Sequence, residues 1–447
     1  MRVIKNVIHI YFIGIGGASM SGLALFTKSM NHIVSGSDLK SSDYTDFLRS
    51  KNITIYIGHN SKNIKNVDLV VYNSAISDDN VELIFARNNN IPTIERAIYL
   101  GIISRQFKNV IAISGTHGKT TTTSMIGKIL TDANLQPTIH VGGVIKEYNS
   151  GFKMGKINYF VTEACEYKKN LLHIQADYAI ILNVEKDHMD CYKNYDELIT
   201  TFNQFKSQTK KITFINGQLV DKKLMTKNDK TITFGNSIDY DYYYDNLKEN
   251  NGTYSADFYH NKLKLFNVKL NLIGEYNIFN ALVATCVTYS LGVDVNTIKN
   301  SLKTFKNVER RFDFIKKIKK ADIYKDYAHH PTQIKSCISA SKKISKYENL
   351  IVVFQPHTYS RTLTLFDEFL ECFGLCDYLF ILPTYSAREK IIDGGTAYDL
   401  FKSLLNKKEN VYYCENFDNC RTKLIPFYES KNLILLIGAG DIENLFK

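Results

Sequence analysis

Gly115-Thr116-His117-Gly118-Lys119-Thr120 places two glycines, a lysine and a hydroxyl in one short stretch, with Thr121-Thr122-Thr123 behind it. These residue types suit phosphate. Glycines let backbone N–H groups approach the oxygens, and a helix starting at the loop adds the positive end of its dipole. Lys119 brings a point charge to β- and γ-phosphates, and the Thr120 hydroxyl can ligate Mg²⁺. The usual nucleotide loop, G-x-x-x-x-G-K-[ST], needs glycine at position 113, where this chain has Ile113. Here the first glycine is Gly115, so the loop is tighter. The alternative is an ordinary glycine-rich strand-to-helix turn carrying a surface lysine.

Three further sets of residues could do chemistry. Glu163 and His188 follow apolar runs, Tyr159 to Thr162 and Ala179 to Leu182, that read as strands. In open parallel sheets, ligands gather beyond the C-terminal strand ends. A carboxylate and an imidazole there could complete a Mg²⁺ shell begun by Thr120, although Mg²⁺ prefers oxygen. Otherwise Glu163 is a cap or surface carboxylate and His188 a hydrogen-bonded core histidine. Asn277 and Asn280 are three apart and share a helix face. They could read an adenine edge, or serve as an N-cap and a packing polar group. A second glycine turn, Gly14-Ile15-Gly16-Gly17, resembles G-x-G-x-x-G with Ser19 in place of the last glycine. It suits a dinucleotide, another diphosphate or a purely structural turn. A ribose-binding acid should end the second strand; Asp38 falls beyond the expected strand, His32 to Ser35, after Gly36 and Ser37.

These residues need scaffolds. Residues 7–13 read as a strand, Ser21 to Met30 as a helix, and 53–57 and 68–72 as further strands, the last followed by Asn73-Ser74. Arg105 to Asn109 is a polar linker. Val110 to Ile113 is the strand entering the lysine loop, and Thr120 to Leu130 the helix leaving it. Thr138 to Val141 is a strand and Gly142-Gly143 a turn. Residues 212–270 read as irregular, with Tyr240 to Asp245 a loop or edge and short strands at 231–234 and 262–272. Near Lys306 to Arg311 the chain changes domain. A strand within Ile323 to Pro331, and strands at 350–354, 378–382 and 433–437, then each end in a polar cluster. Strands alternating with helical segments imply parallel sheets covered by helices.

A chain of 447 residues has room for about three domains. Its hydrophobic content of 44% and charged content of 23% are those of a soluble globular protein. The net charge of +11 comes from scattered lysines; the one compact cluster, Lys316 to Lys320, reads as a solvated turn, so no nucleic-acid partner is expected. Acidic, phosphorylated substrates suit that charge. The eight cysteines include no C-x-x-C and no metal spacing, which fits a reducing cytosol. Cys372 and Cys376, four apart, are expected on one helix face in the core. No apolar run reaches membrane length.

Taken in order, the motifs resemble those of the Mur ligases, the ATP-dependent amide-forming enzymes of peptidoglycan precursor synthesis. The resemblance rests on Gly115 to Thr122, Glu163-Ala164-Cys165-Glu166, Asp187-His188-Met189-Asp190, Gly274-x-x-Asn277-x-x-Asn280, Arg310-Arg311-Phe312 and Asp326 to Thr332. Gly14 to Gly22, Gln355 to Thr362 and Gly438 to Ile442 point to the member that joins L-alanine to the lactyl carboxylate of UDP-N-acetylmuramate through an acyl phosphate.

The resemblance implies three α/β domains with largely parallel sheets. An N-terminal Rossmann-like domain (1–107) would bind the UDP-sugar through Gly14, Gly16, Gly17, Ser37, Asp38, Asn73 and Ser74. A central P-loop-type domain (108–307) would bind ATP through Gly115, Thr116, His117, Gly118, Lys119, Thr120, Thr121, Asn277 and Asn280, with Mg²⁺ on Thr120, Glu163 and His188. A C-terminal Rossmann-like domain (308–447) would close on ATP with Arg311 and Asp326, and on the amino acid and carboxylate with Tyr327, His329, His357 and Arg361. Lys119, His329 and Arg361 would be catalytic, with His329 the general base.

Two positions depart from the family's common pattern: Tyr276 stands where histidine is frequent, and Thr358 where arginine is frequent. Several relatives carry a carbamylated lysine after the D-H-M-D segment; Lys206 is the nearest candidate and is assigned no such role. The implied partners are small molecules only, with no membrane insertion, in a cytoplasmic monomer or weak homodimer. A nicotinamide oxidoreductase would leave the Lys119 loop unexplained. A regulatory or transport P-loop module would leave Asp326 to Thr332 and Gln355 to Thr362 unexplained. A related ligase attaching a whole peptide to the same sugar nucleotide shares most of the motifs.

Overall fold

The apolar run after residue 8 is buried on both sides, so it forms a central strand. A computed structural model describes residues 7–148, 150–189, 191–224, 230–387 and 389–446. Asp190 of the D-H-M-D motif therefore lies outside the described residues. Three largely parallel α/β sheets are present. The chain divides into two compact units. The first is Met1–Val184, Ile199–Phe234 and Ala284–Ser301; the second is Glu185–Leu198, Gly235–Val283 and Leu302–Lys447.

The first unit holds two sheets. The N-terminal one comprises β1 (His9–Ile13), β2 (Ile33–Asp38), β3 (Thr54–Ile57), β4 (Leu69–Tyr72) and β5 (Thr93–Glu95), in the order β3-β2-β1-β4-β5. All its pairings are parallel. Helices α1 (Ala18–Ser29), α2 (Asp43–Ser50), α3 (Val81–Asn88) and α4 (Arg96–Ser104) connect or follow the strands. The order reverses between β1 and β4, which is where such sheets bind ligands. That reversal puts the Gly14 turn beside Asn73: Gly14 has φ 76°, and a Cβ there would lie 2.9 Å from Asn73 Nδ2. Asp38 is the last residue of β2, not a residue beyond it. Gly36 does not end the strand. It lies inside β2, where a Cβ would come within 2.3 Å of the Phe12 carbonyl oxygen.

The next seven strands are β6 (Asn109–Ser114), β7 (Thr138–Ile145), β8 (Ser150–Lys153), β9 (Tyr159–Glu163), β10 (Tyr178–Ile181), β11 (Ile212–Asn216) and β12 (Thr231–Gly235). They run in the order β12-β11-β10-β6-β9-β7-β8. Only β8 is antiparallel to its neighbour. α5 (Lys119–Asp132) follows β6, and α6 (Tyr195–Ser207) follows β10. Gly142-Gly143 is not a turn. It lies within β7, at an irregularity between His140 and Ile145 where a Cβ on Gly151 of β8 would meet the Gly143 carbonyl oxygen at 2.6 Å.

The second unit contains an antiparallel ribbon, β13 (Tyr242–Asn250), β14 (Thr253–His260) and β15 (Leu263–Ile273). The stretch expected to be irregular is thus largely strand. Its turns are Asn251-Gly252 (φ 53° and 81°) and Asn261-Lys262 (φ 47° and 67°), the positive-φ pairs that tight hairpins require. α7 (Tyr276–Ser290) and α8 (Val295–Thr304) follow.

The third sheet comprises β16 (Asp313–Ile318), β17 (Ala321–Asp326), β18 (Leu350–Phe354), β19 (Tyr378–Ile381), β20 (Val411–Tyr413) and β21 (Leu433–Ile437). Its order is β16-β17-β21-β18-β19-β20, with only β16 antiparallel. α9 (Pro331–Lys342), α10 (Tyr359–Thr364) and α11 (Phe366–Cys372) lie among its connections. Cys372 ends α11 while Cys376 lies past it, so the two share the core but not a helix face. Lys316 and Lys317 are exposed in β16, and only Lys319-Lys320 form the turn. Among the described residues no helix is long and apolar enough to cross a membrane.

Candidate active site

The lysine loop is held by its glycines and by one asparagine. Gly115 has φ 133° and Gly118, which precedes α5, has φ 84°. A Cβ on Gly115 would lie 3.0 Å from both backbone N and O of Asn183. Asn183, just after β10, pins the loop. Its carbonyl accepts from Thr116 N (3.2 Å), its Oδ1 accepts from His117 N (2.8 Å), and its Nδ2 donates to the His117 carbonyl (3.1 Å). No side chain caps the N-terminus of α5, which leaves the first-turn N–H groups for an anion.

The Lys119 ammonium donates to both carboxylate oxygens of Glu166, at 3.1 and 3.0 Å, and to the carbonyls of Gly115 and Thr116. Burial alone would push its pKa down; the Glu166 charge overcomes that and holds it above the ordinary lysine range. Glu166 is only 2% exposed. Thr120 and Thr121 are buried on the first turn of α5. Glu163 ends β9, and its Oε1 accepts from Gly142 N at 2.9 Å.

The N-terminal glycine turn uses its N–H groups internally. Gly14 N and Ile15 N donate to the Ser37 carbonyl at 2.8 and 3.0 Å, Gly16 N to Asp38 Oδ2 at 2.9 Å, and Gly17 N to the Gly14 carbonyl at 3.3 Å. The Ser37 hydroxyl lies between the buried carboxylate of Glu82 and His59 Nδ1. Asn73 Oδ1 accepts from Ala75 N at 2.7 Å, and Ser74 lies in the same turn.

The second unit gathers its own cluster. Arg361 Nε and Nη2 both reach Asp187 Oδ1 at 3.0 Å, and Nη1 donates to His357 Nδ1 at 3.1 Å. The ring of His357 stacks on Tyr385 at 5.6 Å and faces His329 at 6.1 Å. Burial would raise the pKa of Asp187, but Arg361, with the neighbouring histidines, holds it well below the carboxylate range. His188 adjoins this pair, with backbone φ 57° and its N–H on Asp187 Oδ1 at 2.9 Å.

His329 Nδ1 faces the Tyr327 carbonyl at 2.9 Å. A carbonyl only accepts, so Nδ1 carries the proton and Nε2 keeps the basic lone pair. Burial, and then the charge of Arg361, lower the pKa of His329 well below the histidine range; the same causes push His357 down to about 4. Both rings are neutral at pH 7, so the His329 Nε2 lone pair is free of a proton there.

Arg311 lies 5.4 Å over the Tyr327 ring. Asp326 is buried, accepts from Phe312 N and Ala328 N at 2.8 and 2.7 Å, and has its pKa raised by burial. The Tyr276 hydroxyl is buried near Asp326 and Arg311. Asn280 Nδ2 reaches Asn277 Oδ1 at 3.4 Å, and Asn277 Nδ2 donates to the Ile273 carbonyl at 2.8 Å.

The expected residues thus fall into sets. Gly115 to Thr121 and Glu163 belong to the first unit, with Gly14, Gly16, Gly17, Ser37, Asp38, Asn73 and Ser74 in the same unit. His188, Asn277, Asn280, Arg311, Asp326, Tyr327, His329, His357 and Arg361 belong to the second. Lys206, buried, donates to the Leu224 carbonyl at 3.0 Å. Three participants carried no assigned role in the sequence: Glu166, Asn183 and Asp187. Each lies within one to three residues of a strand end or of His188, and only their contacts reveal what they hold.

Three family descriptions match in chain order: the Mur ligase family, catalytic domain, over residues 9–108; the Mur ligase middle domain over 113–288; and the Mur ligase, glutamate ligase domain over 310–440. A UDP-N-acetylmuramate–L-alanine ligase of Clostridium novyi is 43% identical over 442 residues, covering 97% of this chain and 95% of its own. The enzyme of that name from Caldicellulosiruptor saccharolyticus is 38% identical over 437 residues, with 97% and 96% covered. The crystal structure of the UDP-N-acetylmuramate–alanine ligase of Thermotoga maritima superposes with a TM-score of 0.84 at 27% identity, covering 98% of this chain and 97% of that one. At 17% identity and a TM-score of 0.61, covering 92% of each chain, a MurF ligase of Thermotoga maritima solved with ADP shares the fold.

Proposed function

The chain belongs to the Mur ligase family, and from that premise we propose that it is the ATP-dependent ligase that joins L-alanine to the lactyl carboxylate of UDP-N-acetylmuramate, releasing ADP and phosphate. The observation that carries this reading is the 43% identity, over 97% of the chain, to a relative bearing that name. The sites are consistent with it. Amide formation in water needs an activated carboxyl. In this reading the lactyl carboxylate oxygen attacks the γ-phosphorus of ATP, ADP leaves, and an acyl phosphate remains.

Two anions must approach each other in that step. Lys119, on the tight loop, offsets the repulsion, and the uncapped N-terminus of α5 adds to it. Thr120 and Glu163 offer oxygen ligands suited to a hard cation, and one carboxylate oxygen of Glu163 already has its position set by Gly142 N–H. His188 is the further ligand in this reading. Mg²⁺, when bound there, neutralises phosphate charge.

The amine of L-alanine must lose a proton before it attacks the acyl carbon. His329 Nε2 is the acceptor, kept neutral by burial and by Arg361. Arg361, steadied by Asp187, and His357 face the reacting carboxylates. Phosphate then leaves with the carbon–oxygen bond. Tyr276, Asn277, Asn280, Arg311 and Asp326 hold the nucleoside end of ATP, and the Gly14 turn with Asn73 and Ser74 receives the sugar nucleotide. We read the protein as a cytoplasmic monomer or weak homodimer; the eight cysteines are thiols, as a reducing compartment requires.

Isotope transfer tests the chemistry. With the lactyl carboxylate labelled with ¹⁸O, one label should appear in the released phosphate for each amide formed. Unlabelled phosphate would contradict an acyl-phosphate route.

A further inference from the structure

The rings of His357 and His329 lie 6.1 Å apart, and their hydrogen bonds select opposite tautomers. On His329, Nδ1–H donates to the Tyr327 carbonyl, so Nε2 holds the lone pair. On His357, Nδ1 receives a hydrogen bond from Arg361 Nη1 at 3.1 Å, and a guanidinium only donates. The proton of His357 is therefore on Nε2, and among the described residues no group accepts it. One ring takes a hydrogen at Nε2 and the other offers one.

A single hydrogen bond leaves an imidazole free to swing about it; packing must remove that freedom. Tyr385, in the loop after β19, does so. Its ring stacks on that of His357, with 18° between the planes and 5.6 Å between centroids. Its backbone joins the same segment as a short parallel bridge: Tyr385 N donates to the Pro356 carbonyl at 2.8 Å, and Thr358 N donates to the Tyr385 carbonyl at 3.0 Å. Beside this bridge Thr358 is held at φ 67° and ψ 145°, which a β-branched residue keeps only where its surroundings impose it. Thr358 is the N-cap of α10, whose first turn carries Arg361 back to His357 Nδ1. Gly440 makes room for the tyrosine: a Cβ there would lie 2.6 Å from Tyr385 Cγ and 2.7 Å from Gln355 Oε1.

We propose that Tyr385 is a positioning residue for amide formation: it holds the His357 ring so that Nε2–H donates to the oxyanion that develops when the amine adds to the acyl carbon. This rests on the reading that the second unit brings the amine to the acyl phosphate. In that step the amine nitrogen bonds to the acyl carbon, the carbonyl π pair moves onto oxygen, and His329 Nε2 takes the amine proton. His357 lends a hydrogen bond and keeps its own proton. The pair on oxygen then re-forms the carbonyl, and the carbon–oxygen bond to phosphate breaks with its pair leaving on phosphate.

The test uses the full-length protein with Tyr385→Phe, Tyr385→Leu and Gly440→Ala. Initial rates give kcat and KM for each substrate, and rapid quenching into hydroxylamine captures the acyl phosphate as a hydroxamate. Tyr385→Phe keeps the stack and should turn over within about threefold of wild type. A well-aimed oxyanion donor contributes roughly 100- to 1000-fold in rate; Tyr385→Leu misdirects it without removing it and should lose about 10- to 100-fold in kcat, with KM for ATP and UDP-N-acetylmuramate within about twofold of wild type. Its hydroxamate should form at the wild-type rate and accumulate, because only the later step is slowed. Gly440→Ala leaves the tyrosine in the chain but displaces its ring, so it should behave as Tyr385→Leu does; it decides the matter if Tyr385→Leu does not fold. Wild-type kcat in folded Tyr385→Leu, or hydroxamate formation slowed as much as turnover, would overturn the proposal. Wild-type protein that forms the amide but no hydroxamate would instead overturn the acyl-phosphate reading.

Discussion

Replacing Lys119 by methionine separates two roles that the Lys119–Glu166 pair combines. Methionine keeps the length of the stem and removes the charge. Glu166, 2% exposed, then loses a partner 3.0 Å away. Breaking a buried pair from one side costs about 3–5 kcal/mol; because Lys119 is 15% exposed, the lower end applies. In the Lys119→Met/Glu166→Gln double variant no buried charge is left alone, so most of that stability should return. Activity should not return. A unit charge 4 Å from a phosphate is worth about 4 kcal/mol at an effective dielectric of about 20, or about a thousandfold in rate. Urea unfolding without ATP, following the first transition, reads stability, and phosphate release reads turnover. Turnover within tenfold of wild type in Lys119→Met would refute the role of Lys119 in phosphoryl transfer. A double variant as unstable as the single one would refute the ion-pair argument.

Four further outcomes follow from the geometry. His140 has its pKa lowered to about 4 by burial and then by Arg96. Above about pH 6.5 it is neutral folded and unfolded; below that only the unfolded chain takes up the proton, so stability should fall by about 3 kcal/mol between pH 6.5 and 4. His140→Gln should flatten that slope in pH-dependent unfolding. Arg361→Ala strands the buried Asp187 and should cost about 3–5 kcal/mol together with most of the activity, whereas Arg361→Ala/Asp187→Asn should recover stability alone, measured by denaturation and rates. Thr358 is β-branched at φ 67°, ψ 145°, a conformation that favours glycine, so Thr358→Gly should raise stability by about 1 kcal/mol in unfolding experiments. Asn183→Ala removes two hydrogen bonds to His117 and should raise KM for ATP about tenfold in initial-rate measurements, with KM for L-alanine unchanged.

The fold was legible wherever burial is two-sided. Val110 to Ile113, Leu350 to Phe354 and Leu433 to Ile437 are continuous apolar runs because helices cover both faces of their sheets. β15 was legible because Phe266, Val268, Leu270 and Leu272 alternate with exposed residues. β13 and β14 were not, because Asp245, Lys248 and Glu249 face solvent and register shifts break the period. Glycine misled twice. Gly36 and Gly142 signal turns, but each sits in a strand where a neighbouring backbone or carboxylate comes close. At the sites, the residue types with intrinsic chemistry stood out. What orients them did not: Glu166 against Lys119, Asn183 under the loop and Asp187 behind Arg361 are ordinary polar residues until the chain folds.

The amine and the carboxylate that the enzyme joins define its activity. Phosphate release measured with ATP and UDP-N-acetylmuramate, adding L-alanine, then other single amino acids, then a tripeptide, tests it directly. Release should require all three substrates and be fastest with L-alanine, and the product should be heavier than UDP-N-acetylmuramate by one alanyl residue. Release that appears only with the tripeptide would contradict L-alanine as the joined amine.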